Sequence, residues 1–133
     1  AGAGGGKGWM GLVTLDVDPF KQFNDRHGHQ AGDDALVTVA RVLAEEARAE
    51  DRACRIGGEE FALPLPGGDD GTAAAVAERV RRAVEENTAP AAGVTVSLGV
   101  AASRGDDPRG LLETADARLY VAKAAGRNRV IST

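Results

Sequence analysis

The sequence predicts an α+β fold in which an antiparallel β-sheet is packed with amphipathic helices. Two observations carry this prediction: helix-like and strand-like segments alternate along the chain, and a tight Gly-Gly turn joins two consecutive strand-like segments. The segment order is β-α-β-β-α-β, followed by an additional C-terminal helix and strand. This order is that of the split βαβ, ferredoxin-like arrangement, and we expect its helices on one face of the sheet.

Local patterns assign each element in turn. Asp18 and Pro19 form a helix-start signal after the first strand, with Asp18 as N-cap and Pro19 at the first helical position. Strands are assigned where apolar and β-branched residues run together or alternate, and helices where apolar residues recur every three to four positions. The predicted strands cover residues 9–17, 52–56, 60–65, 93–102 and 129–131, and the predicted helices cover residues 19–25, 33–48, 72–86 and 108–125.

The composition indicates a single compact domain in a reducing compartment. A chain of 133 residues can bury one core, and no apolar run approaches the roughly 20 residues of a membrane-spanning helix. The single cysteine, Cys54, excludes an internal disulfide and favours a cytoplasmic setting. A net charge of −4 argues against a broad nucleic-acid-binding face. Five of the 18 glycines fall in residues 1–8, which we interpret as a flexible tail or linker remnant before a folded domain of residues 9–133.

Acidic residues stand at two places where the predicted topology brings strands together. Asp16 and Asp18 lie two apart at the end of the first strand, so they share one face, where they could hold Mg²⁺ against a phosphate. Asp18 has the alternative role of N-cap, whereas Asp16 is costly to bury without a cation. Glu59 follows the Gly-Gly turn, where it could approach a ligand closely. The alternative is an ordinary hairpin in which Glu59 is simply solvated. Because the first strand and this hairpin are neighbours, Asp16 and Glu59 could share one metal ion or a pair.

Three sequence blocks resemble the GGDEF domain of diguanylate cyclases. Residues 55–61 (Arg-Ile-Gly-Gly-Glu-Glu-Phe) resemble its signature in the GGEEF form, residues 16–33 its D-x-D-x-F-K-x-x-N-D…G-H…G-D block, and residues 115–129 its last-helix block. The resemblance covers the chain from about Leu12 to Val130. It implies a nucleotide-cyclase-like version of the predicted fold and the condensation of two GTP into cyclic di-GMP with loss of two pyrophosphates.

The resemblance also implies a role for individual residues. Asp16 and Glu59 would hold Mg²⁺ or Mn²⁺, two ions in each half-site, with help from the Val17 carbonyl. Glu59 would assist deprotonation of the attacking 3′-hydroxyl, and Glu60 is a second-metal candidate. Guanine would be bound by Asn24 and Asp33, and phosphates by Phe20, Lys21, Lys123 and Arg127.

Three of these residues have a structural alternative. Asp33 stands where the predicted second helix needs an N-cap. Lys123 and Arg127, four apart and therefore on one face of the predicted last helix, could simply complement its dipole. Pro19 departs from the family pattern, because it removes one backbone N–H from a turn on which the family rests phosphates.

A second nucleotide site is implied at the R-x-x-D motif of Arg48 and Asp51. Its offset from Gly57 is that of the family's inhibitory site for cyclic di-GMP, with Arg79 as a secondary contact. The alternative is a local ion pair.

The resemblance also bears on assembly and activity. One domain holds one GTP, so the resemblance implies a homodimer, normally driven by an N-terminal sensory or regulatory domain. The alternative functions are a catalytically weak or inactive module that senses GTP or cyclic di-GMP, and a protein- or RNA-binding domain.

Overall fold

The fold confirms the predicted α+β class and the predicted order of elements. The structure is a computed structural model that describes residues 5–46, 53–88, 93–105 and 108–133. None of the helices in these ranges is long and apolar enough to cross a bilayer. The elements are β1 (Gly5–Val17), α1 (Phe20–His27), α2 (His29–Glu46), β2 (Cys54–Arg55), β3 (Glu60–Gly68), α3 (Asp70–Thr88), β4 (Val96–Arg104), α4 (Pro108–Ala124) and β5 (Val130–Ile131).

The sheet is mixed, with β1 at its centre. Its strand order is β2-β3-β1-β4-β5, and β1 is antiparallel to both β3 and β4. The final strand β5 runs parallel to β4, so the sheet is not wholly antiparallel. The reason is the connection: α4 crosses back over the sheet between β4 and β5, which is the geometry that parallel neighbours require.

Helices cover both faces of the sheet, which corrects the expectation of a single covered face. One face of β1 presents Val13 and Leu15 to the main core, which α2 and α3 complete. The other face presents Leu12 to a smaller cluster that contains Ala115 of α4. Because β1 is central and buried on both sides, its apolar residues run together instead of alternating with polar ones.

The packing of α4 depends on the absence of a side chain at Gly99. A Cβ at this position of β4 would lie 2.0 Å from the carbonyl oxygen of Ala115 and 2.3 Å from the amide nitrogen of Leu119. Both contacts are with the helix backbone, which cannot move independently of the helix. Gly99 therefore sets how closely α4 approaches the sheet.

The first strand is longer than predicted. It begins at Gly5, so residues 5–8, assigned to the tail from the sequence, belong to β1. Gly5 pairs with Gly68 across a register shift, and the Gly8 carbonyl accepts a hydrogen bond from the Gly105 N–H at 2.8 Å. The pattern of side chains could not reveal this extension, because ladder pairing uses only backbone groups.

Gly99→Ala is expected to destabilise the domain by about 1–3 kcal/mol or more, the range for overpacking a core, because α4 must lift from β4. Gly71→Ala is the matched control, since Gly71 is exposed in α3 and a Cβ there would come no closer than 3.9 Å to Asp69. This control should gain up to about 1 kcal/mol from helix propensity. Urea unfolding of both variants checks the prediction, and equal stabilities would contradict the packing described.

Candidate active site

The ends of β1 and β3 bring the predicted strand-end and hairpin acids together. Asp16 of β1 lies directly opposite Glu60 of β3 in the antiparallel register. The Val17 N–H donates to the carbonyl of Glu59 at 3.1 Å, which extends the pairing to the start of the hairpin turn. Both glutamates of the Gly-Gly-Glu-Glu segment therefore lie beside the end of the first strand.

The hairpin turn is held by its own backbone and by Arg55. The N–H groups of Ile56 and Gly57 both donate to the Glu60 carbonyl, at 2.8 and 3.3 Å. The Arg55 guanidinium donates to the carbonyl oxygens of Gly57 and Gly58, at distances from 2.6 to 3.2 Å. Arg55 thus stabilises the turn, and the two glycines leave its tip without side chains beside Glu59.

The site concentrates negative charge and holds one lysine. Burial raises the pKa of Glu60, and the nearby carboxylates of Asp16 and Asp116 raise it further, while Lys123 acts in the opposite direction. The ammonium of Lys123 is ion-paired with the Asp16 carboxylate. Carboxylates outnumber the cationic group that faces them, so the cluster favours binding of an additional cation.

The donor set fits Mg²⁺ better than a metal held by protein side chains alone. Within the described ranges, no three His, Cys, Asp or Glu side chains are grouped closely enough to hold a metal ion. Mg²⁺ is usually bound by one or two carboxylates together with water and substrate phosphate oxygens. Asp16, the carbonyl of Val17 and a hairpin glutamate are the oxygen donors that could hold such an ion, because they lie on adjacent strand ends.

A second part of the site lies between α1 and α2, at Asn24. The Asn24 side-chain oxygen Oδ1 is buried and has no hydrogen-bond partner within the protein. It lies against the backbone of Gly32, where a Cβ would come within 1.7 Å of it and 3.2 Å from the Phe20 ring. A buried polar atom without a partner costs free energy, so this arrangement suits a ligand that brings a donor.

Asp33 lies within α2 and is not a helix cap. It follows Gly32 directly, and α2 begins earlier, at His29. The cap alternative for Asp33 is therefore wrong, because the helix continues back through Gly32, whose missing side chain leaves room for Asn24. Asp33 is exposed, so its carboxylate is accessible to a ligand, one residue after the Gly32 backbone against which Asn24 lies.

The start of α1 differs from the predicted cap. Pro19 is the N-cap residue and Phe20 the first helical residue, without a capping bond from a side chain. The first helical bond runs from the Phe23 N–H to the Pro19 carbonyl at 3.0 Å. The N–H groups of Phe20 and Lys21 precede that bond, so they are the amides that a phosphate could use at this end.

Asp18 is turned away from the helix, so its assignment as N-cap is wrong. It is buried, with 4% of its surface exposed, and its carboxylate accepts hydrogen bonds from the hydroxyls of Thr95 and Ser97 at 2.8 and 2.7 Å. The backbone N–H of Asn128 donates a further bond at 3.0 Å. These donors come from Thr95 just before β4, from Ser97 within β4 and from the turn before β5, and they take the place of the helix amides.

Lys123 and Arg127 do not share a helix face. The helix α4 ends at Ala124, and Gly126 and Arg127 adopt left-handed backbone angles, with φ of 126° and 66°. The physical reason is the glycine, which ends the helix in a conformation that other residues resist. Lys123 lies among the carboxylates, and Arg127 is exposed in the turn that follows.

The predicted inhibitory site is only partly within the described residues. Arg48 and Asp51 lie outside them. Arg79 is exposed on α3, where its guanidinium donates to the Glu46 carboxylate at 2.9 Å.

Sequence reasoning missed two contributors to the site. Asp116 of α4 acts electrostatically on Glu60, and the ring of Phe20 lies close to Gly32, beside Asn24, in addition to the phosphate-binding role predicted for Phe20. Asp116 and Lys123 are seven residues apart, a spacing that places them on one face of a helix. That spacing, in the block 115–129, was the signal available for Asp116.

The chain is similar to diguanylate cyclases over almost its whole length. The family described as "Diguanylate cyclase, GGDEF domain" matches residues 6–129. Diguanylate cyclase A of Treponema denticola is 41% identical over 127 residues, covering 91% of this chain and 34% of that protein. The response regulator PleD of Caulobacter vibrioides is 42% identical over 130 residues, covering 92% of this chain and 29% of the relative. The chain thus spans about a third of these curated relatives.

Solved structures that resemble this chain are domains of the same kind. The GGDEF domain of DgcB from Caulobacter crescentus, in complex with c-di-GMP, superimposes with a TM-score of 0.86 at 37% identity, covering 92% of this chain and 77% of that one. The active GGEEF domain of a diguanylate cyclase from Vibrio cholerae superimposes with a TM-score of 0.87 at 29% identity, covering 92% and 81%.

Proposed function

This chain belongs to the GGDEF-domain family of diguanylate cyclases, and we propose that it is a catalytic domain that condenses two GTP molecules into cyclic di-GMP. The observation that carries the proposal is the pairing of Asp16 with the Glu59–Glu60 end of the hairpin. There the carboxylate of Asp16, at the end of β1, meets the Gly57–Gly58 turn, whose tip carries no side chains. The free backbone amides at the start of α1, which can bind a phosphate, follow the same strand end. The relatives and solved neighbours named as cyclases support the same reaction class.

The proposed reaction forms two phosphodiester bonds. In each, the 3′-hydroxyl oxygen of one GTP attacks the α-phosphorus of the other, and the bond from that phosphorus to the pyrophosphate oxygen breaks. The hydroxyl proton is taken up at a carboxylate, for which Glu59 is the candidate. One domain supplies one GTP and its carboxylates, so two copies must face each other. The domain is therefore active as a homodimer.

Asp16, Glu59, Glu60 and the carbonyl of Val17 are the proposed ligands of Mg²⁺ or Mn²⁺. When bound, the cations neutralise charge on the α-phosphate and lower the pKa of the attacking hydroxyl. The chain's own groups position the remainder of the substrate. The N–H groups of Phe20 and Lys21 face the phosphates, and Lys123 and Arg127 balance the charge of the β- and γ-phosphates.

Guanine is proposed to occupy the pocket of Asn24 and Asp33. The Asp33 carboxylate can accept both the ring N–H and the exocyclic amino group of guanine. The orphaned Oδ1 of Asn24 supports a base that brings a donor into this pocket. Adenine offers no such pair of donors, so it would leave the carboxylate without partners.

A catalytically weak module that senses GTP or cyclic di-GMP is the second candidate. Pro19 favours it, because a proline removes one amide from the phosphate-binding end of α1. Product binding is proposed for both candidates at the R-x-x-D motif of Arg48 and Asp51, with Arg79 as a secondary contact. A sensory or regulatory domain that would drive dimerisation is part of the same proposal.

Incubation with GTP and Mg²⁺ followed by chromatography of the products tests the proposed activity. We expect cyclic di-GMP, turnover per domain that rises with protein concentration, and loss of turnover with a chelator. Glu59→Gln should reduce the rate by about 10²-fold or more, the typical contribution of a proton-transfer group. Glu86→Gln, an exposed change on α3, is the control. GTP binding without product would favour the sensing module, and absence of any nucleotide effect would refute both.

Gly32→Ala should weaken GTP binding by about ten-fold or more, because the new Cβ displaces the Asn24 carboxamide and costs a buried polar contact. The variant should remain folded, since alanine is the better helix former within α2. Titration calorimetry with GTP measures the loss, and thermal unfolding verifies the fold. Unchanged affinity in the folded variant would mean that the base does not occupy this pocket.

Arg48→Ala should relieve inhibition by cyclic di-GMP, because it removes the guanidinium proposed to bind the product. The measurement is the concentration of cyclic di-GMP that halves the initial rate, in the parent protein and in the variant. Equal inhibition of the two proteins would refute the R-x-x-D proposal without affecting the proposed reaction.

A further inference from the structure

The carboxylate of Asp18 joins three parts of the chain at the edge of the site. Oδ2 accepts hydrogen bonds from the Thr95 hydroxyl and from the Asn128 N–H, at 2.8 and 3.0 Å, and Oδ1 accepts one from Ser97 at 2.7 Å. The Asp18 N–H itself donates to the Thr95 carbonyl at 2.8 Å. With each carboxylate oxygen engaged by donors and the residue buried, Asp18 is committed to these contacts, which distinguishes it from Asp16 two residues before.

The turn that Asp18 holds has an unfavourable backbone conformation. Arg127 and Asn128 adopt left-handed angles, with φ of 66° and 47°, directly after Gly126. Arg127 occupies this region at a cost and remains there only where surrounding contacts enforce it, whereas asparagine tolerates the region better. The Arg127 N–H donates to the Ala122 carbonyl at 3.0 Å, and the next amide, of Asn128, donates to Asp18. The charge on the acceptor strengthens this second bond.

The side chain of Asn128 is held from the opposite direction by α3. Arg81 donates to its Oδ1 at 3.0 Å, and its Nδ2 donates to Glu85 at 2.9 Å. Arg81 is itself fixed by Glu78, and the hydrogen bonds from Arg81 and Arg82 lower the pKa of Glu78 to about 2. The backbone of the turn is thus fixed by Asp18 and its side chain by α3.

The two aspartates at the end of β1 attach the segment 123–128 at both of its ends. Asp16 is ion-paired with Lys123, and Asp18 bonds to the amide of Asn128. Arg127 lies between these attachments, one residue before the fixed amide, and its side chain is exposed. The place from which its guanidinium leaves the backbone is therefore set by Asp18.

We propose that Asp18 is a positioning residue: by fixing the Asn128 amide it holds Arg127 where the guanidinium meets the terminal phosphates of GTP. The inference rests on the proposed function, since it assigns Asp18 a part in binding the same triphosphate. It separates the roles of the two aspartates of the D-x-D block, because Asp16 faces the metal and substrate whereas Asp18 acts through Arg127.

The test compares the binding of GTP and of GMP, which lacks the terminal phosphates, by competition against a fluorescent GTP analogue. Asp18→Ala is expected to weaken GTP binding by about ten-fold, which corresponds to the loss of one charge-assisted bond between Arg127 and a terminal phosphate. GMP binding should be unchanged, because GMP lacks these phosphates. Asp18→Asn is the conservative rescue, because its carboxamide oxygen can still accept the Asn128 N–H while the Ser97 hydroxyl accepts from its amino group. It should retain most of the preference for GTP over GMP.

The matched control is Thr95→Val, which removes one donor to the same carboxylate but leaves the Asn128 bond intact. Its GTP-to-GMP ratio should equal that of the parent protein. In a double-mutant cycle, Asp18→Ala and Arg127→Ala should be non-additive, because removing the guanidinium removes the group that Asp18 positions. If thermal unfolding shows that Asp18→Ala is unfolded, Asp18→Ser replaces it, since one hydroxyl cannot accept from Thr95, Ser97 and Asn128 together.

The outcomes separate this proposal from the proposed function. A parent protein that binds neither GTP nor GMP would overturn both. A parent protein that binds GTP, with an Asp18→Ala or Asp18→Ser variant that loses GTP and GMP affinity equally or adds independently to Arg127→Ala, would overturn the positioning role alone. Selective loss of GTP with rescue by Asp18→Asn supports it.

Discussion

The site depends on the antiparallel pairing that places Asp16 of the central strand opposite Glu60 of its neighbour. Like charges on facing positions repel, and burial adds to the cost, so this pairing needs positive charge nearby. Lys123 provides it from α4, a helix held against the opposite side of the sheet from α2 and α3. The position of α4 therefore affects both packing and charge balance, which links Gly99 in the sheet to the chemistry at the strand end.

Much of the fold followed from local patterns. The order of elements and the location of the Gly-Gly hairpin were predictable because the spacing of apolar residues and the turn chemistry are local properties. The placement of α4 was not, since the short apolar run in β1 indicates burial but does not specify what covers each face. The beginning of β1 at Gly5 was hidden for a related reason, because glycines pair through backbone groups that leave no pattern of side chains.

The candidate site was predictable where neighbouring residues define it and unpredictable where distant ones do. Asp16, Glu59 and Glu60 were identified from two short motifs, and the sheet register brings them together. Asp18 was assigned to the nearest helix, which is the local solution. Its actual partners lie between 77 and 110 positions away in the sequence, so only the tertiary structure could reveal them. The predicted last helix already ended at residue 125, but Lys123 and Arg127 were still expected on one face, because the left-handed backbone of Arg127 was not foreseen.

The hydrogen bond between Asp18 and Asn128 also has a consequence for folding during synthesis. A ribosome releases the first strand long before the residues that follow α4, and β5 must still add beside β4 to complete the sheet. Until then the Asp18 carboxylate, which is buried in the folded domain, lacks the hydrogen bond from the Asn128 N–H, so its burial is unfavourable. The contacts of Asp18 and the pairing of β5 with β4 therefore require that β1 and the segment after α4 are both present before this domain can complete its fold.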